Sequence, residues 1–237
     1  MIINIDHKQL EWVCCVWLAQ DPIGMQEILD NADVHSLNQE RFKLPTRTIA
    51  KIFLFRLIYG GSAWSYVYDP EFNWVSNKAS FWQKVIDEFY EKYKGVAALH
   101  KRWVNEVITT GGLVMPTGRM YKFTPYSKNG ELKWPTTQIV NYPVQGLGHD
   151  LVTISRVSLF RRCFHFSNRS FKLLSTVHDS IVLDSTSEIL PKIIPIVDDV
   201  FNFIPSNFRN LFGVEFNLPT RYEISIGPNM KDLEVLK

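Results

Sequence analysis

The sequence predicts an α+β protein, with strand-forming runs towards the two ends of the chain and a long helical stretch between them. Three observations carry this. Residues 2–6, IINID, are apolar and β-branched up to Asp6, as in a short buried strand that delivers a carboxylate at its end. From Arg47 to about residue 110 the pattern is mostly helical. Further on, Phe171–Val177 and Ile181–Asp184 alternate or run apolar on either side of His178-Asp179-Ser180, as in a hairpin with Asp179 at its tip.

With 237 residues, 46% hydrophobic and 14% aromatic, the chain suits one large core or two smaller lobes, and disorder is excluded. A net charge of +2 is close to neutral, so nucleic-acid binding has to come from local basic faces. Cys14, Cys15 and Cys163 form neither a zinc spacing nor a disulfide framework, and read as reduced packing residues. The start, MIINIDHKQ, is no signal peptide, and no window approaches the ~18 apolar residues of a membrane span. A cytoplasmic protein without a membrane partner is expected, in the host cytoplasm if the source is viral.

In chain order, Asp6 reads either as the cap of a following helix or as a metal ligand in need of a second carboxylate. Gln9–Gln20 is a helix, stopped by Asp21-Pro22-Ile23-Gly24. Asp33-Val34-His35 precedes a polar stretch, where a lone histidine is ordinarily a surface or capping residue. In Arg47–Gly61 a helix starting near Thr46 places Arg47, Lys51 and Phe55 on one face, each step rising about 6 Å, with Tyr59 at its edge. Two cations and then a ring over about 12 Å suit a nucleoside triphosphate, and equally an amphipathic helix with solvated cations.

Between 62 and 110, aromatic residues such as Trp64, Trp82, Phe89 and Tyr93 interleave with Lys78, Lys84, Lys101 and Arg102. That suits a single-strand stacking surface or half-buried helices in equal measure. In LVMPTGRMYKF, Pro116-Thr117-Gly118 signals a hairpin, with Arg119 just past the turn. NYPVQGLGHDL, from Asn141, suits a polar loop ahead of a helix over 149–162.

Several of these segments resemble the family A DNA polymerases. The helix pattern R-x-x-x-K-x-x-x-F-x-x-x-Y-G from Arg47 to Gly60 resembles their fingers helix, and DHKQLE from Asp6 resembles their first palm motif. D-x-H at Asp33, FYEKYKGV, the Gly118-Arg119 turn, N-x-P-x-Q-G-x-x-x-D from Asn141, VHDS and the G-x-N ending after the strand Arg221–Gly227 are similar to family segments in the same order. The resemblance implies an antiparallel palm sheet with helical fingers: palm over 1–30 and 111–237, fingers over 31–110. It implies catalytic Asp6 and Asp179 holding two Mg²⁺ (Mn²⁺ is an alternative) with the His7 backbone carbonyl. It implies nucleotide contacts from Glu11, which would exclude a ribose 2′-hydroxyl, and from His35, Arg47, Lys51, Phe55 and Tyr59. Charge neutralisation is ascribed to Arg47, Lys51 and His35, and Phe55 in place of tyrosine implies poor use of dideoxynucleotides. DNA contacts are implied for Tyr59, Gly60, Arg119, Asn141, Gln145 and His178.

Two departures stand out: Val13 follows Trp12 where the family usually has arginine, and Ser180 follows Asp179 where it usually has glutamate. Single-subunit RNA polymerases carry HDS, so a fragment of that kind is the alternative, and a non-catalytic DNA-binding replisome scaffold is another. The partners implied are primer-template DNA, dNTPs and a second chain supplying thumb and 3′–5′ exonuclease, since the resemblance begins five residues before Asp6. A split polymerase of viral type is the expectation.

Overall fold

The computed structural model describes residues 1–166 and 170–236. By backbone proximity the chain divides into two units, Met1–Leu10 with Gly146–Lys237 and Glu11–Gln145.

The first unit is built on a five-stranded antiparallel sheet, ordered β6-β7-β1-β8-β9. Its strands are β1 (Ile2–Lys8), β6 (Phe171–Val177), β7 (Ser180–Ser185), β8 (Arg221–Gly227) and β9 (Glu234–Val235). The central β1 alternates strictly: Ile3, Ile5 and His7 are buried, while Ile2, Asn4 and Asp6 are half-buried. Ile5 lies opposite Ile181 on one side and Ile224 on the other, so the apolar face fixes the register of three strands. Helices α10 (Leu190–Asn202) and α11 (Ile204–Phe212) complete it. Phe201 of α10 packs on His7 and Tyr222, with ring centroids 4.5 and 4.3 Å away.

The second unit is helical: α1 (Leu10–Ala19), α2 (Pro22–Leu29), α3 (Val34–Arg41), α4 (Arg47–Ile58), α5 (Ala63–Val67), α6 (Pro70–Asn73), α7 (Ala79–Lys92) and α8 (Lys94–Thr110). Two short hairpins follow, β2 (Gly112–Val114) with β3 (Met120–Lys122), and β4 (Tyr126–Lys128) with β5 (Glu131–Lys133). Its core is aromatic. Phe53 sits 5.2 Å from Tyr66 and within 6.3 Å of Trp82 and Phe89, all four fully buried. Asp21, expected to stop a helix, also starts the next: its carboxylate accepts from Ile23 and Gly24 at the N-terminus of α2, and from the Gly95 N–H at 2.7 Å. A Cβ on Gly95 would stand 2.8 Å from the Asp21 Cα, so glycine is required for this approach.

The 28-residue α9 (Thr136–Cys163) runs through the boundary between the units and contains Pro143. This corrects the loop expected at Asn141–Gly148, ahead of the helix expected from residue 149. Ile139, Val140, Val144, Leu147 and Leu151 are buried at helical spacing, and that packing outweighs the backbone hydrogen bond that Pro143 removes. The reading of residues 62–110 as helical holds, and Trp82, Phe89 and Tyr93 are core rather than stacking surface, whereas Trp64 is exposed. Cys14, Cys15 and Cys163 are all buried, and none is in a disulfide among the described residues. Among the described residues no helix is long and apolar enough to cross a membrane.

Candidate active site

In the sheet unit two carboxylate-bearing residues come to the same end of adjacent strands. Asp6 lies within β1, which continues to Lys8, so it neither ends the strand nor caps a helix. Ser180, the first residue of β7, is directly opposite Asp6, and its hydroxyl donates to Asp6 Oδ1 at 2.5 Å. The preceding His178-Asp179 pair makes the turn from β6. His178 takes up φ +53°, the left-handed backbone that this tight reversal demands, and the Asp179 carbonyl accepts from the His7 N–H at 3.2 Å. The carboxylates are thus presented by a backbone ladder and a two-residue turn.

The His7 side chain points away from this end. It is buried against Phe201, neither ring nitrogen has a hydrogen-bond partner, and burial lowers its pKa to about 4. Only its backbone is left to serve a ligand. Among the described residues no group of three or more His, Cys, Asp or Glu side chains is arranged to hold a metal. Asp6 and Asp179 offer carboxylate oxygens from the same end of the sheet, a donor type that suits Mg²⁺, an ion commonly held by one or two carboxylates plus substrate phosphates.

In the helical unit, Thr46 Oγ1 accepts from the Ile49 N–H at 3.1 Å and sets the start of α4. Ile49, Ala50, Phe53, Leu54, Leu57 and Ile58 then face the core, leaving Arg47 and Lys51 exposed and Phe55 half-buried. Arg47 is not a free cation. Its Nε and Nη2 reach Asp33 Oδ2 and Oδ1 at 2.7 and 3.0 Å, and Asp33 in turn caps α3. This pairing holds the Asp33 carboxyl well below the usual range.

His35, two residues on, is buried with its ring 5.7 Å from Phe55. Burial above all, helped by the neighbouring Arg47 and Lys51 cations, lowers its pKa to about 4. Burial thus favours the uncharged imidazole at His35. What sequence reasoning missed was Asp33 as the partner of Arg47, although its spacing from His35 was in view.

Glu11, in the first turn of α1, lies beside Tyr59, the C-terminal cap of α4. The Tyr59 hydroxyl is buried with no partner at hydrogen-bonding geometry; burial first, and then the Glu11 charge, push its pKa up. Gln145, on α9, acts on the same hydroxyl in the opposite sense. Asn141 is one helical turn before Gln145, its Oδ1 buried and unpaired. Gly60 holds φ +80°, with Thr137 Cα only 3.1 Å from where a Cβ would stand. Arg119 is exposed at the predicted hairpin turn, its carbonyl accepting from Met115 at 2.8 Å. A cleft of about 390 Å³ between α9 and α11, lined by Ile154, Val157, Leu211 and Phe212, contains none of these residues.

The sequence profile of DNA polymerase family A matches residues 1–232. DNA polymerase I of Deinococcus radiodurans is 22% identical over 98% of this chain and 23% of its own length. The DNA polymerase of Bacillus phage SP01 is 24% identical over 98% of this chain and 26% of its own. The chain thus spans about a quarter of the length of these relatives. Among solved structures, the POL domain of Pol1 from M. smegmatis, in complex with DNA primer-template and dNTP, superposes with a TM-score of 0.75. It is 15% identical, over 95% of this chain and 39% of that one, a likeness of fold.

Proposed function

Because the chain belongs to DNA polymerase family A, we propose that it carries out template-directed DNA synthesis, transferring deoxynucleotides from dNTPs to a primer 3′-hydroxyl. The observation that most supports this reading is the placement of Asp6 and Asp179 at one end of adjacent strands. In this reading residues 1–30 and 111–237 form the palm and 31–110 the fingers.

Asp6, Asp179 and the His7 carbonyl would hold two Mg²⁺, and Mn²⁺ suits the same oxygen donors. When bound, such ions lower the pKa of the attacking hydroxyl and neutralise charge on the triphosphate. The exposed cations Arg47 and Lys51 draw the triphosphate along α4, and with His35 they stabilise the charge that develops on the pyrophosphate. Phe55 packs against the incoming sugar and base. Glu11 excludes a 2′-hydroxyl, and Tyr59 stacks near the template base with Gly60 beside it. Asn141 and Gln145 check the minor groove of the primer-template, where acceptors occur on every base pair. Arg119 and His178 contact the DNA backbone.

Single-nucleotide primer extension with Mg²⁺, offering dATP or ATP opposite template T, tests this. Extension with dATP that vanishes in Asp179→Ala supports the assignment; equal use of ATP removes Glu11 as a gate and favours the RNA polymerase reading that Ser180 raises. No extension in any mixture returns the DNA-binding scaffold. We also propose that a second chain supplies thumb and 3′–5′ exonuclease. Dependence of extension on such a chain, with a complex on size-exclusion chromatography, supports the split; tight binding of primer-template by the lone chain opposes it.

A further inference from the structure

We propose that Asp33 is a positioning residue for the nucleotide triphosphate, acting through Arg47; the inference rests on the reading of α4 as the triphosphate-binding face. The Asp33 carboxylate is fixed from several sides. Oδ1 accepts from the His35 and Ser36 N–H groups at 3.2 and 3.3 Å, and Oδ2 from Ser36 Oγ at 2.7 Å. These donors all belong to the first turn of α3, so the carboxylate stays on that turn whether or not Arg47 is present. It is a fixed post, and Arg47 is the moving part.

The pairing is side-on. Arg47 uses Nε and Nη2, at 2.7 and 3.0 Å. Of the five guanidinium N–H donors, three remain for another acceptor, both on Nη1 and one on Nη2. Asp33 therefore does not compete with a triphosphate for the whole fork: it selects the edge that faces outward. The same turn carries His35, packed against Phe55 of α4. One carboxylate thus ties the direction of Arg47 to the helix that holds His35. An unpaired arginine on an exposed helix face would sample many rotamers, and fixing it before the ligand arrives removes that ordering cost from binding. Asp33 also offsets one positive charge on this face.

The test is a double-mutant cycle read as dATP affinity in the presence of Mg²⁺, with the KM for dATP as a second readout and primer extension kcat as the contrast. Asp33→Asn is the informative variant, because asparagine is as good a helix cap as aspartate and leaves α3 in place, while it cannot form the charged fork. We expect Asp33→Asn to weaken dATP binding about five-fold with kcat little changed, and to do less than two-fold in an Arg47→Ala background. Equal losses in the two backgrounds, or none in the wild type, overturn the proposal while leaving α4 as the triphosphate face. Unchanged dATP binding in both Arg47→Ala and Lys51→Ala overturns that face and the proposal with it. Tighter binding in Asp33→Asn also overturns it, since Asp33 would then be a competing anion and not a guide.

Discussion

The β1–β7 ladder and the α3–α4 pair each present candidate catalytic groups, but they hold them by different means. On the ladder, Asp6 and Asp179 are placed by strand register and by a main-chain hydrogen bond from His7, over a buried row of isoleucines. On the helices, the inward face of α4 is locked among aromatic rings, while outward-facing Arg47 is held only by an exposed side-chain ion pair. Main-chain placement survives changes of salt and side chain. An exposed ion pair is worth about 0–1 kcal/mol and is screened. The first region is therefore the rigid partner in any reaction, and the second the adjustable one.

The sharpest way to break this comparison is at the carboxylates. Asp6→Asn and Asp179→Asn keep side-chain size on a backbone that does not depend on them. Extension activity is expected to fall by about 10³-fold or more, on the scale of losing a principal electrostatic group. Stability in urea should change by only about 0.5 kcal/mol, as for a surface substitution. Loss of fold in either variant would mean that the ladder depends on these side chains after all.

Next in size is the aromatic lock. Phe53→Ala removes a fully buried ring that touches Phe42, Tyr66, Trp82 and Phe89, and should cost about 3–5 kcal/mol in thermal or urea unfolding. A small loss would show that α4 is not anchored from inside, and the contrast between its two faces would go.

The regions also differ in how far the sequence displayed them. The strand Ile2–Asp6, the hairpin around Asp179 and the α4 pattern were legible because local periodicity and the packing that decides the fold agree there. Asn141–Gly148 was not, because Pro143 and two glycines signal a loop, and only burial on a helical period reveals that α9 starts at Thr136. The Arg47–Asp33 pair was hidden for another reason: its partners are 14 residues apart, and no local rule joins an exposed arginine to the N-cap of the preceding helix. The neutrality of His35 was equally invisible, since burial sets it.

His35 gives a pH test of the helical region. Its folded pKa of about 4 lies below the 6.5 of an unfolded chain, so on acidification the unfolded state takes up the proton first. The stability it contributes is whole above pH 6.5, falls as pH drops towards 4, and is then fully lost, a change on the order of 1–3 kcal/mol. Urea midpoints at pH 7 and pH 5 should differ less in His35→Gln than in the wild type. An identical difference would place the imidazole in contact with water, and α3 would be looser than its packing on Phe55 indicates.

The smallest expected effect is the most discriminating for the ladder. Ser180 stands where a family carboxylate is usual, and its hydroxyl donates to Asp6 Oδ1 at 2.5 Å, the side-chain contact that accompanies the backbone register there. If β1 and β7 alone set the Asp6 carboxylate, Ser180→Ala should cost nothing in extension. If the hydroxyl fixes its rotamer, removing a hydrogen bond to a half-buried charged group should cost about 1 kcal/mol, or roughly five-fold, in kcat/KM. We expect the five-fold loss, because strand register places Cα and Cβ but leaves the carboxylate free to turn about its own side-chain torsions. Wild-type kinetics in Ser180→Ala would make the ladder sufficient by itself, and Ser180 would then matter only as the uncharged residue that lowers the negative charge at this end of the sheet.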